Sequence, residues 1–325
     1  MNNLYGYAQM QPLPARAYRW LSRKEIETFD VMTAQDDAKK GYVLEVDLSY
    51  PAHLHEAHAS LPLAPESLNI CYEDLSPYSK DCLRATNPAK VDKYVATKLC
   101  GTFLPKKKYL VHYRNLKYYL KKGLVLEKVH RIIEFEQEPF IAPYIERMAK
   151  KRAETTSAFK KRLAKLFANS VYGKLLQNIR KYIDVKIVRK GRLTEKYLNS
   201  PRFISFKILN SQYVAIFMQK EKVLLDKKYS AGFSVLEMSK LAMFECYYDN
   251  IVPALGQENG SIVLSDTDSM ILHISGRPKR ETTDNRIFGR NRSQPIPIPN
   301  RYRYRKSQDF KLLVISKYQE LWLIL

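Results

Sequence analysis

Residues 261–274 read SIVLSDTDSMILHI. Asp266 and Asp268 stand one residue apart, apolar runs flank them, and no lysine or arginine is near in sequence. Each carboxylate takes a hard cation through oxygen, and Mg²⁺ typically uses one or two protein carboxylates together with substrate phosphates. At i and i+2 across a tight turn between two strands, both side chains can point the same way. Two divalent cations about 3.5–4 Å apart would then stabilise the attacking and leaving oxygens of a nucleotidyl transfer. A polar hairpin turn uses the same residue types, because Asp and Ser bond their own backbone. The pair alone therefore does not decide its role.

A second constellation lies in AFKKRLAKLFANSVYGKLLQ (158–177). Lys165, Asn169 and Tyr172 recur at i, i+4 and i+7 and share one face of a helix, while Leu163, Leu166 and Phe167 take the other side. A lysine, an amide and an aromatic ring in line offer a charge for a triphosphate, a hydrogen-bonding group and a stacking surface. An ordinary amphipathic helix with a solvated lysine would show a similar pattern. Gly173, directly after Tyr172, suits a close approach of another molecule to the backbone.

The elements that must hold these groups are legible by period. GYVLEVDL (41–48) alternates as a strand. Residues 139–181 follow a helical repeat, with Phe159, Leu163, Leu166 and Phe167 at steps of three and four. YIDVKIVRKGRL reads as a hairpin turning at Lys190–Gly191. FSVLEMSKLAMFECYYDNI (233–251) is helical again, and 261–274 is the acidic hairpin. NNLYGYA reads as a turn, and 51–95 as connections of little periodicity. From 276 onward RPKR, GRNR, PIPIP and RYRYRK follow without a period, which reads as a basic tail without fixed structure.

Composition narrows the partners. The chain has 325 residues, with 55 Lys+Arg against 33 Asp+Glu, a net charge of +22. Such an excess fits a polyanionic partner, nucleic acid or an anionic membrane, with a solubilising basic surface as the plain alternative; a pI of about 9.7 favours nucleic acid. KKKYLVHYRNLKYYLKK (106–122) interleaves basic and tyrosine side chains. Cys71, Cys82, Cys100 and Cys246 form no CxxC pair, so neither a zinc ribbon nor a disulfide framework is indicated, and an intracellular setting is expected. No apolar run approaches the ~20 residues of a membrane span, and MNNLYGYAQM lacks the basic and apolar regions of a signal peptide. His53, His55 and His58 are spaced i, i+2 and i+3 rather than at the i, i+4 step of a helical zinc site, which favours surface or capping roles. The basic runs RPKR and RYRYRK admit a nuclear location.

Taken together and in order, these stretches resemble the family B DNA polymerases. KLFANSVYG (165–173) is similar to their fingers motif and SDTDS (265–269) to their palm carboxylate motif. NNLYG with QPLP (2–14), YLVHYRNLKYYLKKGL (109–124), PYIERMAKKR (143–152) and GFSVLEMSKLAMFE (232–245) resemble blocks of the protein-primed branch found in viruses, linear plasmids and Maverick/Polinton-type transposons. The resemblance covers about residues 2–275. It implies an α+β fold: a partial polymerase palm built on an antiparallel sheet, with helical fingers and insertions. The implied segments are 1–25 as first palm segment, 26–138 as an insertion contacting primer or priming protein, 139–181 as fingers, 182–218 as a second insertion hairpin, 219–275 as palm with the carboxylate hairpin, and 276–325 as tail.

The implied activity is template-directed addition of dNTPs to a primer 3′-OH or a priming protein, with two Mg²⁺. Asp268 would be the main metal ligand and Asp266 its support. Lys165, helped by Arg152, would hold the triphosphate, and Asn169 and Tyr172 would line the nascent base pair. The backbone of Asn3 and Leu4 would face the triphosphate, and Tyr5 would exclude a 2′-OH. Lys106, Lys107, Lys108, Arg114 and Lys117 would neutralise DNA phosphates. The implied partners are template–primer DNA, dNTP and a terminal priming protein, with no membrane.

The sequence departs from the family in three places. The palm's other aspartate, two residues before the first Asn of NNLYG, has no counterpart. A thumb pattern is not found in 276–325, and an exonuclease domain is missing. A truncated and weak polymerase is thus expected, with a catalytically dead nucleic-acid-binding remnant as the alternative. An RNA-templated enzyme is a third reading that Tyr5 and 165–173 disfavour. EVDLSYP (45–51) mimics a general family signature and leaves Asp47 as an alternative ligand, although NNLYG already fills that motif's place.

Overall fold

The computed structural model describes residues 4–256, 259–266 and 269–274 and the backbone of Leu312–Ser316; of Lys90, Asp92 and Asp266 it describes the backbone alone. The chain divides into two compact units, the first formed by 1–150 with 234 onward and the second by 151–233. The boundaries fall inside two helices, α5 and α8 defined below.

In chain order the first unit opens with α1 (Leu4–Gln9), β1 (Leu13–Trp20), α2 (Arg23–Thr28), β2 (Lys40–Ser49), β3 (Glu66–Cys71), α3 (Pro77–Thr86), β4 (Val95–Cys100), β5 (Lys106–His112), α4 (Tyr113–Lys121), β6 (Val125–Glu138) and α5 (Ala142–Glu154). The second unit holds α6 (Ala158–Leu175), β7 (Ile183–Arg189), α7 (Arg192–Leu198), β8 (Phe203–Ile208) and β9 (Tyr213–Gln219). Then follow α8 (Tyr229–Glu245), a π-helical turn at Cys246–Ile251, α9 (Val252–Leu255), β10 (Gly260–Asp266), β11 (Ser269–Ile274) and β12 (Leu312–Ser316). The fold is α+β, and every strand pairing is antiparallel.

The main sheet runs β1-β6-β2-β5. Period-two alternation in β2 sends Leu44, Val46 and Leu48 into the core, where Val111, Ile132, Tyr113, Leu116 and Tyr119 meet them. Phe244, Tyr247 and Ile251 from α8 and the turn after it close over this layer. Met270 and Leu272 of β11 join the same core, so alternate residues root the acidic hairpin in the first unit. The strands β2, β5 and β6, all within 26–138, share their sheet with β1 from 1–25, so residue 25 marks no break between compact units.

Several local readings differ from the structure. NNLYGYA contributes the helix α1 rather than a turn. The stretch 51–95 holds β3 and α3, started by Ser76, whose hydroxyl accepts the Ser79 N–H. No strand follows Lys190–Gly191: Gly191 at φ 141° leads into α7, and β7 pairs instead with the distant β9. Leu312–Ser316, an apolar and β-branched run in the expected tail, pairs with β11. Among the described residues no helix is long and apolar enough to cross a membrane.

Candidate functional site

Residues 261–274 contain the two paired strands that their pattern predicts. β10 and β11 pair antiparallel, and Asp266 is the register partner of Ser269, which leaves Thr267 and Asp268 as the two residues between the strands. The connection itself, with Asp268, lies outside the described residues, as does Asn3. Among the described residues no group of three or more His, Cys, Asp or Glu side chains is arranged to hold a metal ion.

In the same unit α1 buries Leu4 and leaves Tyr5 half-buried. Gln9 fixes the last turn by donating from Nε2 to the Tyr5 carbonyl at 3.0 Å.

The second unit carries the other constellation. Ser157 caps α6, its hydroxyl accepting the Lys160 N–H at 3.5 Å, and the helix runs unbroken through Lys165, Asn169 and Tyr172. All three are half-buried on one face. The apolar side departs from expectation: Phe159, Leu166 and Phe167 are exposed, and Ala164 is the buried residue of the helix. A Cβ placed on Gly173 would meet no atom within 4 Å. No packing among the described residues therefore asks for glycine there, although glycine in a helix costs about 0.5–1 kcal/mol against alanine. Arg152, half-buried near the end of α5, falls in this unit too.

The expected DNA-contacting block 106–122 turns largely inward. Lys106 is 1% exposed. Its ammonium lies 2.5 Å from Glu66 Oε1 and 2.6 Å from Thr102 Oγ1, so it braces the root of the β3–β4 excursion and does not face a phosphate. Lys117 donates to the Ala34 carbonyl at 2.7 Å and to Asp36 at 2.8 Å. Arg114 is half-buried and donates to the Tyr113 hydroxyl at 3.2 Å. Lys107 and Lys108 alone of the five are exposed. Three of the block's four tyrosines, Tyr113, Tyr118 and Tyr119, are buried, and Tyr109 packs half-buried against the same core.

Asp47 is likewise engaged. Its Oδ1 accepts the Lys108 backbone N–H at 2.7 Å and sits 2.9 Å from His130 Nε2, with Lys107 Nζ 3.7 Å from Oδ2. These contacts, the Lys108 amide first, hold its carboxyl below the usual range. His58, expected at the surface, is buried against the Tyr50 hydroxyl at 2.7 Å from Nδ1, and His55 stacks on Phe103 with ring centroids 4.4 Å apart.

Two features escaped the motif reading. The first is a buried polar cluster under β5 and α8: Glu237 pairs with Lys240, accepts the His112 N–H at 3.5 Å, and offers its carbonyl to Asn115 Nδ2 at 2.9 Å. Burial pushes the Glu237 carboxyl up. Its sequence signal was a charged residue at an inward position of an otherwise apolar helix. The second is charge segregation. Residues 151–233 contain 20 Lys+Arg and 5 Asp+Glu, a net of +15, whereas 1–150 with 234–275 contain 23 and 24, a net of −1. Counting charge by segment would have found it.

No family model matches the chain and no curated protein does. Among solved structures it is similar to Phi29 DNA polymerase in its orthorhombic crystal form, at 15% identity and a TM-score of 0.43, over 88% of this chain and 39% of that one. The complex of the same polymerase with primer-template DNA matches at 14% identity and TM-score 0.44, over 87% and 38%. Its ternary complex with primer-template DNA and incoming nucleotide substrates matches at 14% and 0.42, over 87% and 39%. The chain thus spans about two fifths of the length of these polymerases, and a likeness this distant assigns no role to any residue.

Proposed function

We propose that the chain is part of a DNA-directed DNA polymerase of family B, in the protein-primed branch. The observation that carries this reading is the setting of SDTDS: a motif gains weight from its expected context. Here the motif's first residues end β10 and its last begins β11, an antiparallel pair whose second strand is rooted in the core by Met270 and Leu272. The helical setting of Lys165, Asn169 and Tyr172, with open space at Gly173, supports the same reading.

In this reading Lys165 and Arg152 neutralise the triphosphate, and Asn169 and Tyr172 line the nascent base pair against the bare backbone at Gly173. Tyr5 lies against the deoxyribose, and the amides at Asn3 and Leu4 face the phosphates. Asp266 and Asp268, hard oxygen donors of the kind Mg²⁺ prefers, would hold two Mg²⁺. When bound, these supply positive charge to the attacking and leaving oxygens. The partners are template–primer DNA, dNTP and, in the finer reading, a terminal priming protein. Most of the DNA phosphates would be met by the basic second unit, because sequence-independent affinity follows neutralised phosphates.

A second reading is a nucleic-acid-binding chain without catalysis, favoured by the same segregation of charge, since a net +15 in 151–233 holds a polyanion whether or not the carboxylates work. The deciding experiment is extension of a primed template by the purified chain with Mg²⁺ and dNTPs. Slow extension that Asp268→Ala abolishes, with DNA affinity unchanged, supports the polymerase. Affinity without extension supports the second reading, and neither activity removes both.

A further inference from the structure

The three-stranded sheet of the second unit runs β7-β9-β8, so β7 and β8 are its edges. The two edges differ. Pairing of β8 with β9 is interrupted between Phe203 and Ser205, whereas β7 pairs with β9 over seven consecutive residues without a shift. Among the described residues no strand pairs with the outer side of β7. Natural sheets blunt such an edge with bulges, inward charges or a covering element, because a straight edge is a template for another strand.

β7 also carries an apolar row. Ile183, Val185 and Ile187 alternate onto one face and are 45%, 50% and 65% exposed. On that face Val185 and Ile187 adjoin Phe217 and Ala215, their register neighbours on β9, and Ile183 adjoins Gln219. Basic residues surround the row: Arg180, Lys181, Lys186, Arg189, Lys190 and Arg192 against the single acid Asp184.

We propose that β7 receives an extended acidic segment of a protein partner as a fourth strand. Main-chain hydrogen bonds to the open edge would supply affinity, and alternate side chains would supply specificity. Apolar residues at every second position would extend the row of Ile183, Val185 and Ile187. Acidic residues between them would answer Lys186 and the basic residues beyond the strand ends. A second copy of this chain is a poor occupant, since its own β7 region repeats the same positive charge. The aliphatic, β-branched row suits a polypeptide strand better than nucleic-acid bases, which prefer aromatic platforms.

The test is fluorescence anisotropy with the full chain and a labelled peptide of alternating valine and glutamate long enough to cover β7. Binding is expected, with affinity lower by about tenfold for the same peptide N-methylated at every amide, which cannot pair along an edge. A valine–lysine peptide should not bind. Val185→Thr with Ile187→Thr keeps strand propensity and should weaken binding by about tenfold. The N-methylated peptide leaves the protein untouched, so the proposal stays open to refutation even if the variant misfolds. It is overturned by no binding, by equal affinity for the N-methylated peptide, or by complete displacement with oligothymidylate together with that equal affinity.

Discussion

The carboxylate of Asp47 lies 2.7 Å from the backbone nitrogen of Lys108, across the β2–β5 pair. Lys108 is in the left-handed region at φ 51°, and the register of β2 with β5 shifts between Val46 and Leu48. The carboxylate therefore pins a bulge in the sheet. Asp47→Ala is expected to lower Tm by about 2–4 °C and to leave Mg²⁺-dependent extension intact, where a metal ligand would lose it. The Lys108 amide and then His130 hold the Asp47 carboxyl below its unfolded value. A depressed carboxyl contributes stability above the unfolded pKa and loses it as pH falls through the folded one. Wild type should thus lose more of its Tm than Asp47→Ala on acidification below about pH 4.

Lys106 joins Glu66 and Thr102 in a contact that is closed to solvent on the lysine side. Removing one partner of a buried pair leaves the other charge without an answer. With Glu66 still partly exposed, Lys106→Ala should cost about 2–3 kcal/mol, measured by urea unfolding. Its DNA affinity, taken where the protein is folded, should match wild type. A selective loss of affinity would instead return Lys106 to the DNA-contacting set.

These two residues show where the sequence was legible. The strands in GYVLEVDL and SMILHI were legible, and the structure buries their alternate residues Leu44, Val46, Met270 and Leu272 because one buried face imposes period two. The 106–122 block misled because interleaved lysine and tyrosine fit a nucleic-acid grip and an amphipathic helix equally well. Only the tertiary partners, Glu66 for Lys106 and the core for Tyr113 and Tyr119, separate the two. β7 looked like half of a local hairpin, but its partner β9 begins 24 residues beyond its last residue, and pairing at that range leaves no local mark. The hairpin bearing Asp266 was found from its pattern, whereas the role of its carboxylates rests on chemistry that spacing alone cannot supply.

Gly173 offers a test in which stability and activity move in opposite directions. Its added Cβ meets nothing within 4 Å, so Gly173→Ala should stabilise α6 by about 0.5–1 kcal/mol. If a nascent base pair approaches the backbone there, the same methyl should raise the KM for dNTP several-fold in extension assays, by about the factor that 1 kcal/mol represents. Unchanged KM beside the higher Tm would assign the glycine no functional role.

His58 and His112 are both buried. Desolvation, with Lys122 adding for His58 and Arg114 for His112, depresses them to about 4 and about 3. The unfolded chain binds these protons near pH 6.5, so stability is complete above that value and falls between it and the folded pKa as protons are taken up only on unfolding. Glu237 acts in the opposite sense, since a raised carboxyl favours the folded state at low pH. A difference isolates the histidine: the fall in Tm from pH 7 to pH 5 should be smaller in His58→Gln than in wild type. Equal slopes in the two proteins would show that His58 does not set the acid limb.

The segregation of charge makes the final prediction quantitative. Lys160, Lys161 and Arg162 are exposed at the start of α6, inside the unit whose net charge is +15. Binding that releases counterions has a salt slope proportional to the phosphates neutralised, and each lost contact should reduce it by about one. Replacing all three by alanine should flatten the dependence of DNA affinity on salt by up to about three such steps, across all sequences tested. Lys107→Ala with Lys108→Ala, in the first unit, where 1–150 with 234–275 are nearly neutral, should change it less. If the second pair flattens the slope more than the first three, the polyanion lies along the β5 side of the main sheet, and the charge count would then reflect solubility rather than a binding surface.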